Sequence, residues 1–192
     1  EKPNDIFEFK YEEKPALAIA KSLTGEEGCV LAFQATSKEI IECKLLEIEQ
    51  QNLLVQVDSH AREVFRIESG IPLYGKDINN KNILPETGLE HTSVSYNKGC
   101  YIGQEVIARI KTYGAPNFSL MGLIVKGTDL PLIDGEIKLG SKKLGVIKSS
   151  IFSYSLQKNI ALAYIQKDHR SPDIDLDVTI GNIPYKVRTC LL

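Results

Sequence analysis

The 192-residue sequence predicts an α+β fold in which a helix-containing first part is followed by a small antiparallel barrel or sandwich. The first observation lies beyond Pro116, where six short runs have β-branched or alternating character. They are Leu120 to Val125, Ile133 to Leu139, Lys143 to Lys148, Ile160 to Ile165, Leu176 to Ile180 and Tyr185 to Val187. Turn formers at Gly127, Asp134-Gly135, Gly140, Asn159 and Gly181-Asn182 separate them, and short strands at near-regular spacing belong to barrels and sandwiches. The second observation is that helix signals occur only before Pro116. The domain boundary is therefore expected near residues 114 to 118.

Taken in order, the first ten residues are polar and read as frayed or strand-like. Pro15 followed by Ala16 to Leu23 predicts a short helix with proline in its first turn. Cys29 to Phe33 is a compact apolar run and predicts a buried strand. Ile40 to Glu49 fits a helical stripe tolerably and a strand in part. The turn-like Gln50-Gln51-Asn52 before Leu53 to Val57 favours a β-hairpin there. Asp58-Ser59 offers a cap to a helix through Ala61 to Ile67, which Gly70 and Pro72 end and Gly75 follows with another turn. Residues 77 to 97 are rich in turn formers, and a loop of that length in a compact domain is usually functional or disordered.

The densest stretch is Tyr96 to Lys111, which packs a lysine, a thiol, an aromatic ring, two glycines, an amide, a carboxylate and an arginine into a dozen positions. Gly99 and Gly103 suit a tight turn. Gln104 to Lys111 predicts a helix with Val106, Ile107 and Ile110 as its apolar face, stopped by Tyr113-Gly114-Ala115-Pro116. Cys100 precedes the helix N-terminus, where amide N–H groups and the dipole favour negative charge, and lies two residues from Lys98. Those two influences point to a thiolate, while most free cysteines are small buried hydrophobes. Glu105 has two readings of equal weight, a ligand group or a dipole partner that pairs with Arg109 four residues on.

The bulk numbers exclude several classes. Hydrophobic residues make up 43%, charged residues 25%, and the net charge is −2. That balance gives no general affinity for nucleic acid or an anionic membrane, so neither is expected as a partner, although Lys98, Arg109 and Lys111 could form a local basic patch. No apolar run approaches the roughly 20 residues of a membrane span. Glu1 to Asp5 lacks the basic and apolar regions of a signal peptide, and the missing initiator methionine is consistent with removal of something upstream. Cys29, Cys43, Cys100 and Cys190 form no Cys-x-x-Cys pair, and His60, His91 and His169 are dispersed. No metal site is expected, and a reducing, cytoplasmic setting fits.

The stretch Lys98-Gly99-Cys100-Tyr101-x-Gly103-Gln104-Glu105-x-x-x-Arg109 resembles the signature of YgfZ-type folate-binding proteins, relatives of the glycine-cleavage T-protein with a role in maturing or repairing iron–sulfur enzymes. Arg66-x-Glu68-Ser69-Gly70-x-Pro72-x-Tyr74-Gly75 resembles a segment shared by the T-protein and its relatives. Met121-Gly122-Leu123, Asp134-Gly135-Glu136, Leu144 to Ser149 and Ile160 to Tyr164 resemble that family's C-terminal barrel. The resemblance implies a partial T-protein-like folate-binding domain over residues 1–115 and a small antiparallel Greek-key β-barrel over 116–192. It is weak over the first 65 residues, and the family's folate-binding domain is longer on that side, so the chain is expected to be a short member or a fragment.

The same resemblance implies tetrahydrofolate, or a derivative, as cofactor. Glu68 would accept from the pterin's N–H groups, since a carboxylate offers two acceptor oxygens to adjacent donors. Against this stands a surface Glu68 paired with Arg66 or Lys76. Tyr74 and Tyr101 would lend ring faces, and Lys98 and Arg109 would meet the glutamyl tail or hold the Cys100 loop, with Gln104 and Glu105 completing the cofactor-binding set. Cys100 would act as nucleophile, one-carbon acceptor or transient cluster ligand, shared with iron–sulfur client or assembly proteins because a cluster usually needs four ligands. An aminomethyltransferase of the T-protein kind and a non-catalytic interaction module are the alternatives.

Overall fold

The computed structural model describes residues 5–190, which divide between Phe65 and Arg66 into two compact units. In the first, β1 (Ile6–Tyr11), β2 (Lys14–Ala20) and β3 (Cys29–Phe33) form an antiparallel sheet in the order β1-β2-β3. Residues 14–20 are thus a strand, which corrects the helix expected after Pro15. Glu12 and Glu13 both take left-handed backbone angles, the tight-hairpin geometry usually signalled by Asn-Gly, and they fold β2 back onto β1. Pro15 lies beyond Ala16–Phe33, the last pair with β3, where its missing N–H costs no ladder bond on that side. Ala16 is buried in one cross-strand row with Phe9 and Phe33, whose rings meet edge to face at 6.0 Å. The strand β3 occurs where expected, but Cys29, Leu31 and Ala32 are exposed rather than buried because it is an edge strand.

A second correction concerns Ile40 to Glu49, which lies in helix α1 (Lys38–Gln50) and not in a hairpin. Ile41, Leu45 and Ile48 fall at i, i+4 and i+7, and the Lys44 ammonium pairs with Glu47 at 2.7 Å one turn on. With residues 40–49 helical, Leu53 to Val57 has no hairpin mate and forms no strand. The next helix, α2 (Ser59–Glu68), starts as read, with Asp58 Oδ1 accepting from the Ala61 N–H at 2.7 Å.

In the second unit the Gly70 and Gly75 turns follow α2, both with positive φ. Residues 77–97 are irregular apart from a 3₁₀ turn at Leu84–Glu86 and the single-turn helix α3 (Glu90–Ser93). Helix α4 (Gln104–Tyr113) comes next, entered through Gly103 at φ 89° and capped by Gly114, whose N–H bonds Ile110. Ile107 and Ile110 are half-buried, whereas Val106 is exposed and does not belong to the packed face. Gly99 shows neither positive φ nor crowding, so only Gly103 of the two turn glycines needs to be glycine.

The chain then forms β4 (Phe118–Lys126), β5 (Glu136–Leu139), β6 (Lys142–Ser153), β7 (Lys158–Gln166), β8 (Asp175–Ile180) and β9 (Ile183–Cys190). All six expected strands are present, and they close antiparallel into a barrel ordered β4-β7-β6-β5-β8-β9 with β9 back against β4. In β4-β7-β6-β5 the first strand lies beside the last of a three-strand meander, a Greek key. Leu123, Val125, Ile137, Leu144, Ile147, Ala163, Ile165, Ile180 and Val187 fill the interior at almost no exposure. Asn159 is not a separator: it sits inside β7, buried, and its amide donates to the carbonyls of Gly127 and Asp129.

One irregularity positions the site. The β6–β7 pairing slips between Ile147 and Ser149, so Ile147 opposes Ala163 while Ser149 opposes Leu162. A bulge of this kind switches which residues face inward. Ile147 thus belongs to the interior cluster, and Ser149 and Ser153, four residues apart, emerge on the same outer face.

Candidate functional site

The bulged strand receives the end of α2 and the segment that follows it. Arg66 Nη1 donates to Asp77 Oδ2 at 2.8 Å and to the Ile71 carbonyl at 3.1 Å, and Nη2 donates to Ser149 Oγ at 3.0 Å. Ser149 in turn donates to Asp77 Oδ1 at 2.5 Å, and the Leu73 N–H donates to Asp77 Oδ2 at 2.9 Å. Arg66, Asp77 and Ser149 are all buried, so this is a water-excluded ion pair with further hydrogen bonds, the condition under which such a pair is tolerated inside a protein. It clamps residues 66 to 77 to the barrel wall.

Glu68 is half-buried beside this clamp. Its Oε1 accepts from Ser153 Oγ at 2.6 Å and from Ser155 Oγ at 2.8 Å. The guanidinium of Arg66, weighed as a surface partner for Glu68, is buried and donates to Asp77 and Ser149. Tyr74 is 71% exposed on the turn below, in an isolated bridge with Ile78.

A second cluster gathers around the start of α4. Lys98 Nζ stands 4.8 Å from the centre of the Tyr101 ring, and Lys111 Nζ 3.4 Å from the centre of the Tyr96 ring. Tyr96 donates its hydroxyl to Glu90, while the buried Tyr101 hydroxyl has no partner among the described residues. Glu105 Oε1 meets Arg109 Nη2 at 3.0 Å on the exposed helix face, an i, i+4 pair worth at most about 0.5 kcal/mol. Gln104 is half-buried and closes the turn through its N–H to the Tyr101 carbonyl. Cys100 is a free, exposed thiol at the mouth of that turn.

The structure therefore brings Lys98, Cys100, Tyr101, Gln104, Glu105 and Arg109 together on one turn and helix, and gives Glu68 a separate anchorage at the end of β6 and the turn after it. Sequence reasoning missed Asp77, Ser149, Ser153 and Ser155, and also Tyr96 and Glu90. Asp77 stands two residues beyond the Gly75 turn, but nothing local distinguishes it from a surface aspartate. The serines lie more than 70 positions from their partners. Among the described residues no group of His, Cys, Asp and Glu could hold a metal ion.

The Tyr96–Glu90 contact has a titration signature. That hydrogen bond first, and then burial and the neighbouring Glu90 charge, push the Tyr96 hydroxyl up to about 12. Burial does the same to Tyr164, also to about 12. A pKa raised in the folded state marks stabilisation that is complete below the ordinary tyrosine value and lost as pH climbs through the shifted one. Ultraviolet titration should show Tyr96 and Tyr164 ionising late, near 12, and Tyr96→Phe should remove one late-ionising group. Full ionisation of all tyrosines near the ordinary value would refute the contact.

Comparison with known proteins shows what the chain resembles. Residues 119–192 match the glycine cleavage T-protein C-terminal barrel domain. The chain is 31% identical over 176 residues to an aminomethyltransferase of Symbiobacterium thermophilum, covering 91% of this chain and 46% of that protein. It is 29% identical over 185 residues to one from Caldanaerobacter subterraneus, covering 93% of this chain and 49% of the other. The crystal structure of glycine cleavage system aminomethyltransferase T from Bartonella henselae shares the fold at a TM-score of 0.82 and 19% identity, over 96% of this chain and 51% of that one. These matches support the T-protein-like superfamily. The chain spans about half the length of the curated relatives it matches. Among the described residues no helix is long and apolar enough to cross a membrane.

Proposed function

We propose that this chain binds a tetrahydrofolate, with residues 1–115 as a T-protein-like folate-binding part and 116–192 as its barrel, and that Glu68 accepts the pterin's N–H groups. The supporting observation is the anchorage of Glu68: two serine hydroxyls on Oε1 fix the carboxylate plane and leave Oε2 for a ligand. Tyr74 and Tyr101 offer ring faces, Lys98 and Arg109 cations for the glutamyl tail, and Gln104 and Glu105 the polar rest of the site. Glu105 then exchanges its weak pairing with Arg109 for ligand contacts at little cost.

In this reading the exposed Cys100 serves iron–sulfur client or assembly proteins in the cytoplasm, as in the YgfZ branch. The names of the relatives favour a second reading, aminomethyl transfer to tetrahydrofolate. Calorimetric titration of tetrahydrofolate tests both. Glu68→Gln keeps the shape and removes the charge, so affinity should fall by about ten- to a hundredfold, the span of one charged hydrogen bond. No binding to the unmodified chain would sink the folate reading. If folate binds, methylene transfer from an aminomethyl-lipoyl carrier that survives Cys100→Ala selects the transferase. Loss of iron–sulfur enzyme activity in cells carrying Cys100→Ala selects the accessory factor.

A further inference from the structure

We propose that a cleft at one end of the barrel, beside the β6–β7 turn whose Ser153 and Ser155 anchor Glu68, binds a small oxyanion carried on a flat apolar body, such as an aryl phosphate or an aryl carboxylate. The cleft holds about 370 Å³ and is lined by Lys126, Gly127, Phe152, Gln157, Lys158 and Arg188. That is the lower end of the range for small-molecule sites, which limits the ligand to roughly one ring and its headgroup. Barrel closure assembles it. Strand β4 lies between β7 and β9, with Ile124 opposite both Ile160 and Arg188, so Lys126 at the end of β4 adjoins Lys158 at the start of β7.

The charge balance favours an anion. Arg188 donates to Asp175 through Nε at 2.9 Å and through Nη2 at 3.0 Å, and Lys126 Nζ reaches the same carboxylate at 3.3 Å. One aspartate thus serves two cations, while Lys158 and the Arg188 Nη1 group have no partner among the described residues. Asp173 also acts on Arg188 at longer range, and three cations against two carboxylates leave one net positive charge. Asp175 is held down at about 2, first by the Arg188 hydrogen bond and then by Lys126, so the balance is constant across neutral pH.

The site is also preorganised. The bidentate Asp175 contact fixes the guanidinium plane, which suits planar or tetrahedral oxyanions. The half-buried Phe152 ring forms an apolar wall and is held edge to face by Tyr154 at 5.3 Å. Gln157 donates to the Tyr154 carbonyl at 2.6 Å, and buried Asn159 ties the chain at Gly127 and Asp129 to β7, so both rims are braced. A ligand pays little ordering cost in such a frame.

The test uses the whole chain and amide NMR titration with four probes: phenyl phosphate, benzoate, inorganic phosphate and phenol. Phenyl phosphate or benzoate should shift the Gly127 and Gln157 amides and bind more tightly than inorganic phosphate or phenol, since those carry only one of the two recognised features. Whichever of the first two binds better identifies the headgroup. Lys158→Gln, an exposed substitution, should leave thermal unfolding unchanged and weaken the better probe about tenfold, the worth of one charge-assisted contact. Absence of shifts at those amides with millimolar probe overturns the proposal. So does equal affinity in Lys158→Gln, or inorganic phosphate binding as tightly as phenyl phosphate.

Discussion

Gly145→Ala should destabilise the protein by more than about 3 kcal/mol, at or beyond the upper end for an overpacked core. A Cβ at this position would stand 1.9 Å from the Tyr164 carbonyl oxygen and 3.2 Å from Ile165 Cδ1. The obstacle is backbone of the adjacent strand rather than a flexible side chain. Gly145 lies between Ile137 on β5 and Ile165 on β7, so neither neighbour can retreat without breaking ladder bonds. The lowered chain entropy of the unfolded state returns only about 0.4–1 kcal/mol and cannot offset this. A melting temperature lower by about 6–12 °C or more is expected for a chain of this size. Gly99→Ala, where a Cβ meets nothing within 4 Å, is the internal control and should be close to neutral. Similar melting of the two variants would contradict the tight β6–β7 approach.

Asp77→Ala should cost about 3–5 kcal/mol, because it takes the buried Asp77 carboxylate away from the buried Arg66 guanidinium. Part of the loss is the stranded Ser149 hydroxyl and Leu73 N–H, both of which donate to this carboxylate. The paired change Arg66→Met with Asp77→Leu removes both charges and should recover much of the stability, as apolar replacement of a whole buried pair often does. Urea unfolding of the two variants separates the cases. A double variant no more stable than Asp77→Ala would mean that the pair itself, rather than the buried charge left behind, dominates. In the folate reading the stabilised double variant should still bind poorly, since residues 66 to 77 lose their orientation.

How far the sequence could be read depended on whether the information was local. The barrel was legible because each strand run, from Leu120 to Val125 through Tyr185 to Val187, lies between turn formers, and turn chemistry acts over a few residues. The Asp58 cap and the Gly103 entry into α4 were legible for the same reason. Strand β2 was misread because Glu12-Glu13 makes a hairpin turn without glycine or asparagine, so Pro15 looked like the start of a helix. Residues 40 to 49 carried both periods, and the choice fell to neighbours that proved to have no strand partner. Asn159 looks like a turn residue in the sequence, but its amide ties two chain segments together from within β7.

The candidate site was legible only in its signature turn. Lys98, Cys100, Tyr101 and Arg109 are close in sequence and stay close in space. Glu68 could be named from its segment, but its two serine donors could not, because they depend on a slip in β6–β7 pairing that leaves no mark in the composition of Lys148 or Ser149.

The two units also differ in how they meet other molecules. A cylinder whose first and last strands are bonded to each other presents no unpaired row of amides and carbonyls, so it cannot template fibre growth from its rim. Among the described residues the β1-β2-β3 sheet has two such rims, and its Ile6, Phe7 and Leu31 side chains are open to solvent. On heating or concentration, self-association should therefore begin from residues 6–33, and lysines placed along β3 should delay it without touching the barrel.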